Sequence, residues 1–372
     1  MKPVYIVSWL FALAVSFVSC DDWLDKTPKD RLYPDVYFKT EDELRLFTNQ
    51  FYNNLVPSAV DIYSESSDLI VKSDLMLEMS GQRIIPDEGN GWNFTALRDI
   101  NFYLQYSHNC TEVNARNRYD GVARFFRAYF YFEKVKRYGD IPWYDKALDS
   151  DDPELYKARD SREFVMQKML EDLDFAIANL PKTKNAYVLT RWTALALKSR
   201  VCLFEGTFRK YHGLEDCEKY LNACVSASET FMNESGYTLY KSGSTPYRDL
   251  FASINLQSDE VIFGRDYEAS LSVLHNVQNY ENSTTMGRPG MNKKIVNSYL
   301  MADGSRFTDK AGYETMTFDQ ECQNRDPRLA QTIRTPGYTR IGSTKKEAPN
   351  LAYTMTGYHL IKYSMTANYD EY

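Results

Sequence analysis

GVARFFRAYFYFEKVKRYGDIP, residues 121–142, is the stretch whose reading decides the fold. Val122, Phe125, Phe126, Tyr129, Phe130 and Phe132 give a broad apolar face at helical spacing, and Arg124, Arg127, Glu133, Lys134 and Lys136 give a polar one. The spacing predicts a helix over 121–138 with core aromatics and a solvated basic face. Gly139 suits the residue just past a helix end, and Pro142 prevents a restart. A core helix this aromatic needs other elements to cover it.

The flanking sequence supplies them. Thr40 and Glu43 fit a capping box, followed by Leu44, Phe47, Phe51 and Leu55 and stopped by Pro57. Residues 57–95 are loop-rich, and a second helix is expected over 95–107. Ser161 fits the cap of a helix with Val165, Met169, Leu173, Ala176 and Leu180 on one face, ended by Pro181. Thr190 fits the cap of another through Trp192, Leu195, Leu197, Val201 and Leu203 to Gly206, and 215–231 is a further helix. The spacing from Phe164 to Trp192 is close to the period of tetratricopeptide-type stacking. Beyond Tyr237, Glu260–Arg265 reads as a short strand, 276–291 as turns, 295–301 as a short helix, and 335–372 as loop and short strand. The expected fold is mainly α, with tetratricopeptide-like helix pairs over 20–232 and an irregular, loop-rich part with short strands over 233–372.

The amino terminus reads as an address. Lys2 precedes an apolar run from Val4 to Val18. That run is shorter than the roughly 20 residues of a spanning helix and fits a secretory leader, residues 1–19. Val18-Ser19-Cys20 resembles a bacterial lipobox, with Cys20 as the lipidated residue, and Asp21-Asp22 resembles the signal that sends lipoproteins of Bacteroides-like bacteria to the outer cell surface. The resemblance implies a body held at a membrane by acyl chains. No second long apolar run occurs. The chain is acidic, with a formal net charge of −7, which argues against nucleic acid as a partner.

Six cysteines include Cys20, so the other five cannot all pair within the chain. Cys217 and Cys224, seven apart on a helix, are separated by roughly 10 Å, too far for a disulfide. Cys110, Cys202, Cys217, Cys224 and Cys322 are therefore expected to be buried, small apolar residues. No C-x-x-C, H-x-x-x-H, G-x-S-x-G, Walker or dinucleotide motif occurs, so an enzyme is not expected. No cofactor is expected either. Asp149–Asp152 reads as solvated acid, and calcium is left open.

The order of blocks resembles the SusD/RagB family of surface glycan-binding lipoproteins. CDDWLDKTP (20–28), YFKTEDEL (37–44), the stretch at 121–142, RWTALALKSRVCLFEG (191–206), SYLMADG (298–304), NRDPRL (324–329) and GYHLIKY (357–363) carry the likeness. It implies an outer-membrane, lipid-anchored location at the cell surface. It also implies a SusC-like TonB-dependent transporter as partner and an oligosaccharide or polysaccharide as ligand. Members of the family continue past the last block into a further helix pair, so this sequence is expected to be a C-terminally incomplete piece and poorly stable alone. NRDPR (324–328) is expected to form a hydrogen-bonded turn and a helix start.

Sugar recognition needs aromatic faces for C–H stacking and planar polar partners for hydroxyls, on loops held by a scaffold. Two loops qualify. Residues 81–101 hold Arg83, Asp87, Trp92, Asn93 and Asn101; residues 265–291 hold Arg265, Tyr267, Asn279, Tyr280 and Asn282. The candidates are Trp92, Asn93, Arg83, Asn101, Tyr280 and Tyr267, with Trp92 first, between Gly91 and a polar residue before a helix. The competing readings are that Trp92 packs on that helix, that the stack is a scaffold for the transporter with no sugar site, and that the ligand is a peptide.

Overall fold

A computed structural model describes residues 34, 36–57, 68–73, 76–86, 89, 91–275 and 277–364. Cys20, its leader, Asp21-Asp22 and Asp87 lie outside the described residues. The main body is built from six helices: α1 Glu41–Leu55, α2 Thr95–Tyr106, α3 Val113–Tyr138, α4 Arg162–Asn179, α5 Arg191–His212 and α6 Cys217–Glu234. Thr40 and Glu43 form the expected capping box on α1, and Ser161 and Thr190 cap α4 and α5.

α3 packs against α4 and α5 against α6, with α4 joining the two pairs. This is the helix-pair stacking of the tetratricopeptide-like expectation. The core runs continuously from Phe38, Leu44 and Phe51 through Ile100, Tyr103, Phe126 and Tyr131 to Met169, Leu173, Val201 and Tyr220.

Three readings of the helices change. α3 begins at Val113, a turn and more before Gly121. Gly121 lies inside the helix, where an added Cβ would stand 3.4 Å from Leu180. Likewise α5 runs past Gly206 to His212, and Gly213 (φ 65°) takes the left-handed position that ends it. Arg127 is not on a solvated face: it is buried, with its guanidinium bidentate on the buried Asp172 carboxylate at 2.6 and 2.7 Å.

A second, smaller core of Val277, Met291, Val296, Leu329, Ile333, Tyr358 and Leu360 sits in the C-terminal part. Its sheet has two strands among the described residues, β1 (Ile70–Val71) and β2 (Gly290–Met291), paired antiparallel with Ile70 opposite Met291. The chain before α2 thus crosses to the second core. Glu260–Arg265 is not a strand. Its Gly264 N–H donates to the Ala186 carbonyl (2.8 Å) and Phe263 packs on Tyr52, so the segment clasps the helical body instead of joining a ladder. The expected helix near 295 is Lys293–Ser298. Within 335–364 the β contacts are isolated bridges, such as Ile333 with Leu360 and Thr339 with Lys346.

Asp326 caps the short helix Pro327–Ala330 through Arg328 N–H (2.9 Å), as the sequence predicts. Beside it Arg325 is buried and donates to the carbonyls of Glu321, Val296 and Tyr299. Cys110 and Cys202 are buried, whereas Cys217, Cys224 and Cys322 are only partly so, a correction to the expectation; all five are free thiols. Burial pushes the Cys202 thiol up to about 12 and that of Cys322 to about 11.

Candidate functional site

The loop before α2 is pinned to the far end of α3. Gly89 (φ 74°) and Gly91 (φ 82°) take left-handed backbone, and the Trp92 N–H donates to the Gly89 carbonyl at 3.0 Å. Lys134 donates to the Gly91 carbonyl. Asn93 then accepts from the Thr95 N–H at 2.8 Å and starts α2. The indole of Trp92 meets Phe94 edge-on at 5.3 Å and Tyr138 at 4.9 Å between centroids, yet it stays 41% exposed. It therefore packs on its neighbours and still offers surface.

Trp92 forms one rim of a groove of about 590 Å3. Phe94, Leu97, Arg98 and Asn101 continue that wall. Pro142, Tyr144, Lys146 and Leu148, from the segment after α3, face them, and Leu155, Lys157 and Arg159 close the side. Tyr131 sits beneath this segment, accepting from the Tyr144 N–H at 2.6 Å and stacking on Trp143 at 4.3 Å. Tyr144 holds the closing segment by donating to the Glu154 carbonyl at 3.1 Å. Asp160 accepts from Trp143 N–H (2.7 Å) and pairs with Lys157 (2.9 Å). Burial alone would raise the Asp160 carboxyl; these two partners outweigh it and hold it below the usual range.

Asn101 is the buried member of this wall. It is 1% exposed, donates to the carbonyls of Tyr144 (2.9 Å) and Lys146 (3.3 Å), and accepts from Arg127 (3.2 Å). A buried ion pair is thereby linked to the groove through one amide, so Asn101 is placed to shape the wall.

The remaining candidates are elsewhere. Arg83 is exposed and does not line the groove. Tyr280 packs against the second core with Lys72 over its ring at 5.6 Å. Tyr267 meets His275 edge-on at 4.8 Å, with Arg265 over its ring. Arg265 also donates to the Val56 carbonyl (3.3 Å), Asn279 is exposed, and Asn282 accepts from Arg340 at 3.2 Å. The structure thus places Trp92 and Asn101 in the lining of one groove; Asn93 stays outside the lining, holding the turn beside Trp92, and Arg83, Tyr267 and Tyr280 do not line it either. Tyr144, Lys146, Lys157 and Arg159 were not legible as site residues, because the groove joins segments far apart in sequence, as the 43 residues between Asn101 and Tyr144 show; Arg98 lies in the same segment as Trp92 and Asn101 and was missed there. The Trp143-Tyr144 pair after Pro142 is the one local signal that could have found it.

A second cavity of about 600 Å3, lined by Lys294, Asn297, Arg306 and Tyr313 among others, contains none of the candidates. Among the described residues, no cluster of three or more His, Cys, Asp or Glu side chains could hold a metal, and no helix is long and apolar enough to cross a membrane.

Known proteins resemble this chain in sequence and in fold. The SusD-like model described as "Starch-binding associating with outer membrane" matches residues 80–191, and the model of the SusD family matches residues 250–372. SusD-like protein P2 of Formosa agariphila is 26% identical over 294 residues, covering 73% of this chain and 55% of that protein. The chain spans about half the length of the curated relatives it matches. A SusD-like protein from Bacteroides fragilis superposes with a TM-score of 0.71 at 21% identity, over 92% of this chain and 72% of its own. A SusD-like carbohydrate binding protein from the same species gives 0.67 at 17% identity, over 87% and 68%. Matched by SusD models on both sides of residues 192–249 and sharing the fold along most of its length, the chain belongs to the SusD/RagB family.

Proposed function

We propose that this protein binds oligosaccharide at the Trp92 groove, at the cell surface, and passes it unchanged to a SusC-like TonB-dependent transporter in the outer membrane. Lipidation at Cys20 would supply the anchor, and the acidic Asp21-Asp22 pair the surface address. The observation that carries the reading is the partly exposed indole of Trp92 at the rim of an aromatic and polar groove. Its rim is held in place before any ligand arrives by the Lys134 and Asn93 bonds, so little ordering is needed on binding. Family membership supports the same reading, as does the description of a similar structure as a carbohydrate binding protein. Binding is by C–H stacking on the rings and hydrogen bonds at the edges, without covalent chemistry. Tethering beside a pore compensates for modest affinity by raising the local concentration of captured sugar.

The test is affinity electrophoresis of wild type and Trp92→Ala through gels containing plant, algal and host polysaccharides. Retardation by at least one polysaccharide, weakened about 10- to 100-fold in Trp92→Ala, is expected for a central aromatic anchor. Retardation that Trp92→Ala leaves intact would place the site elsewhere.

A further inference from the structure

The Trp92 groove has a charge pattern that its aromatic wall does not require. Arg98, Lys146, Lys157 and Arg159 line it, and no acidic side chain does. This occurs in a chain whose formal net charge is −7.

Two of the four cations are already answered. Lys146 pairs with Glu154 at 3.1 Å and lies 3.8 Å from Asp152. Lys157 pairs with Asp160 at 2.9 Å and donates to the Trp143 carbonyl at 2.6 Å. The two arginines are different. Arg98 uses its Nε on the Leu148 carbonyl (3.2 Å), and its terminal nitrogens have no hydrogen-bond partner among the described residues. Its chain neighbour Asp99 feels its charge without bonding to it. Arg159 lies over the Trp92 ring, 5.1 Å from the centroid, and pairs with no carboxylate among the described residues.

A neutral sugar presents hydroxyls that donate as well as accept, and is best met by side chains that can do both. This groove is rich in donors and lacks carboxylate acceptors. Guanidinium donates only, in a planar fork matched to a carboxylate or a sulfate.

We infer that the glycan held by the Trp92 groove is acidic, an oligosaccharide with a carboxylate or sulfate group placed to meet Arg98 and Arg159. The inference rests on the groove being the glycan site, as proposed above.

The experiment is calorimetric titration of the detergent-solubilised full-length protein with two matched pairs of probes. One pair is trigalacturonate and its methyl ester; the other is a sulfated galacto-oligosaccharide and its desulfated form. The acidic member of at least one pair should bind about tenfold or more tightly than its neutral counterpart, the scale of one charge-assisted hydrogen bond. That preference should shrink as NaCl rises from about 20 to about 200 mM. Which pair shows it distinguishes carboxylate from sulfate. Arg98→Gln with Arg159→Gln should bring the acid-to-neutral affinity ratio close to one. Arg159→Gln alone, at an exposed position whose contact is the Trp92 face, provides a second reading if the double variant does not fold. Trp92-dependent binding with no acidic preference, or a preference that the arginine variants leave intact, overturns the inference while the glycan groove stands. Failure of every probe to bind, or binding indifferent to Trp92→Ala, removes both.

Discussion

Arg127 differs from the other cations of its helix in what lies opposite it. Arg124 is partly exposed and reaches Asp172 only at 3.8 Å, whereas Arg127 is buried and bidentate on the same carboxylate. Such a pair adds little or nothing over an apolar filling, because desolvation offsets its attraction, but breaking it strands a buried charge. Asp172→Asn should therefore cost about 3–5 kcal/mol, read from urea unfolding. A cost below about 1 kcal/mol would show the guanidinium to be solvated after all. Because Arg127 also donates to Asn101, which holds the Tyr144 and Lys146 carbonyls, the folded variant should bind sugar more weakly as well.

At the scale of elements, two glycines mark where helices cross closely. A Cβ at Gly121 would meet Leu180 at 3.4 Å, near ordinary contact, while one at Gly206 would meet Leu221 at 2.7 Å. Alanine adds about 1 kcal/mol of helix propensity at either position. Overpacking costs about 1–3 kcal/mol where the neighbour cannot withdraw, and the Leu221 backbone nitrogen is itself only 3.1 Å away. Gly121→Ala should thus stay within about 0.5 kcal/mol of wild type or above it, and Gly206→Ala should lose about 1 kcal/mol, by thermal and urea denaturation. Equal effects at both positions would show that α6 shifts freely on α5. The same contacts explain why neither glycine ends its helix.

Across the whole molecule, the stack is fastened by charges that join three helices. Glu205, fully buried on α5, accepts from Arg162 at the start of α4 and from Arg209 one turn on. Glu163 on α4 accepts from Arg209 on α5 and from Lys219 and Tyr220 on α6. Burial alone would raise the Glu163 carboxyl; the bonds from Lys219, Tyr220 and Gln167 and the Arg209 charge outweigh it and hold it at about 2. A carboxylate depressed in the folded state stabilises above its unfolded pKa of about 4.3 and loses that contribution as pH falls through about 2. The protein should lose stability between about pH 4.5 and about pH 2. Glu163→Gln should be less stable near pH 7 and flatter across that window, as read from urea midpoints at about pH 7 and about pH 3. Parallel pH slopes for the two proteins would assign the acid sensitivity elsewhere.

The sequence by itself determined the helices and their class, because capping and periodicity are local. Thr40 with Glu43, Ser161 and Thr190 sit where the first unbonded N–H groups need acceptors, and the aromatics of α3 repeat at the spacing of a buried face. It also drew attention to Trp92, flanked by the glycine and asparagine that make its turn. Tertiary structure decided what no spacing encodes. It placed Arg127 against a carboxylate 45 residues away, carried Gly121 and Gly206 through their helices by letting leucines lie over them, and turned Glu260–Arg265 into a clasp. The groove belongs to this second kind. Its walls come from both sides of α3, and its charge depends on which arginines found partners elsewhere in the fold and which did not.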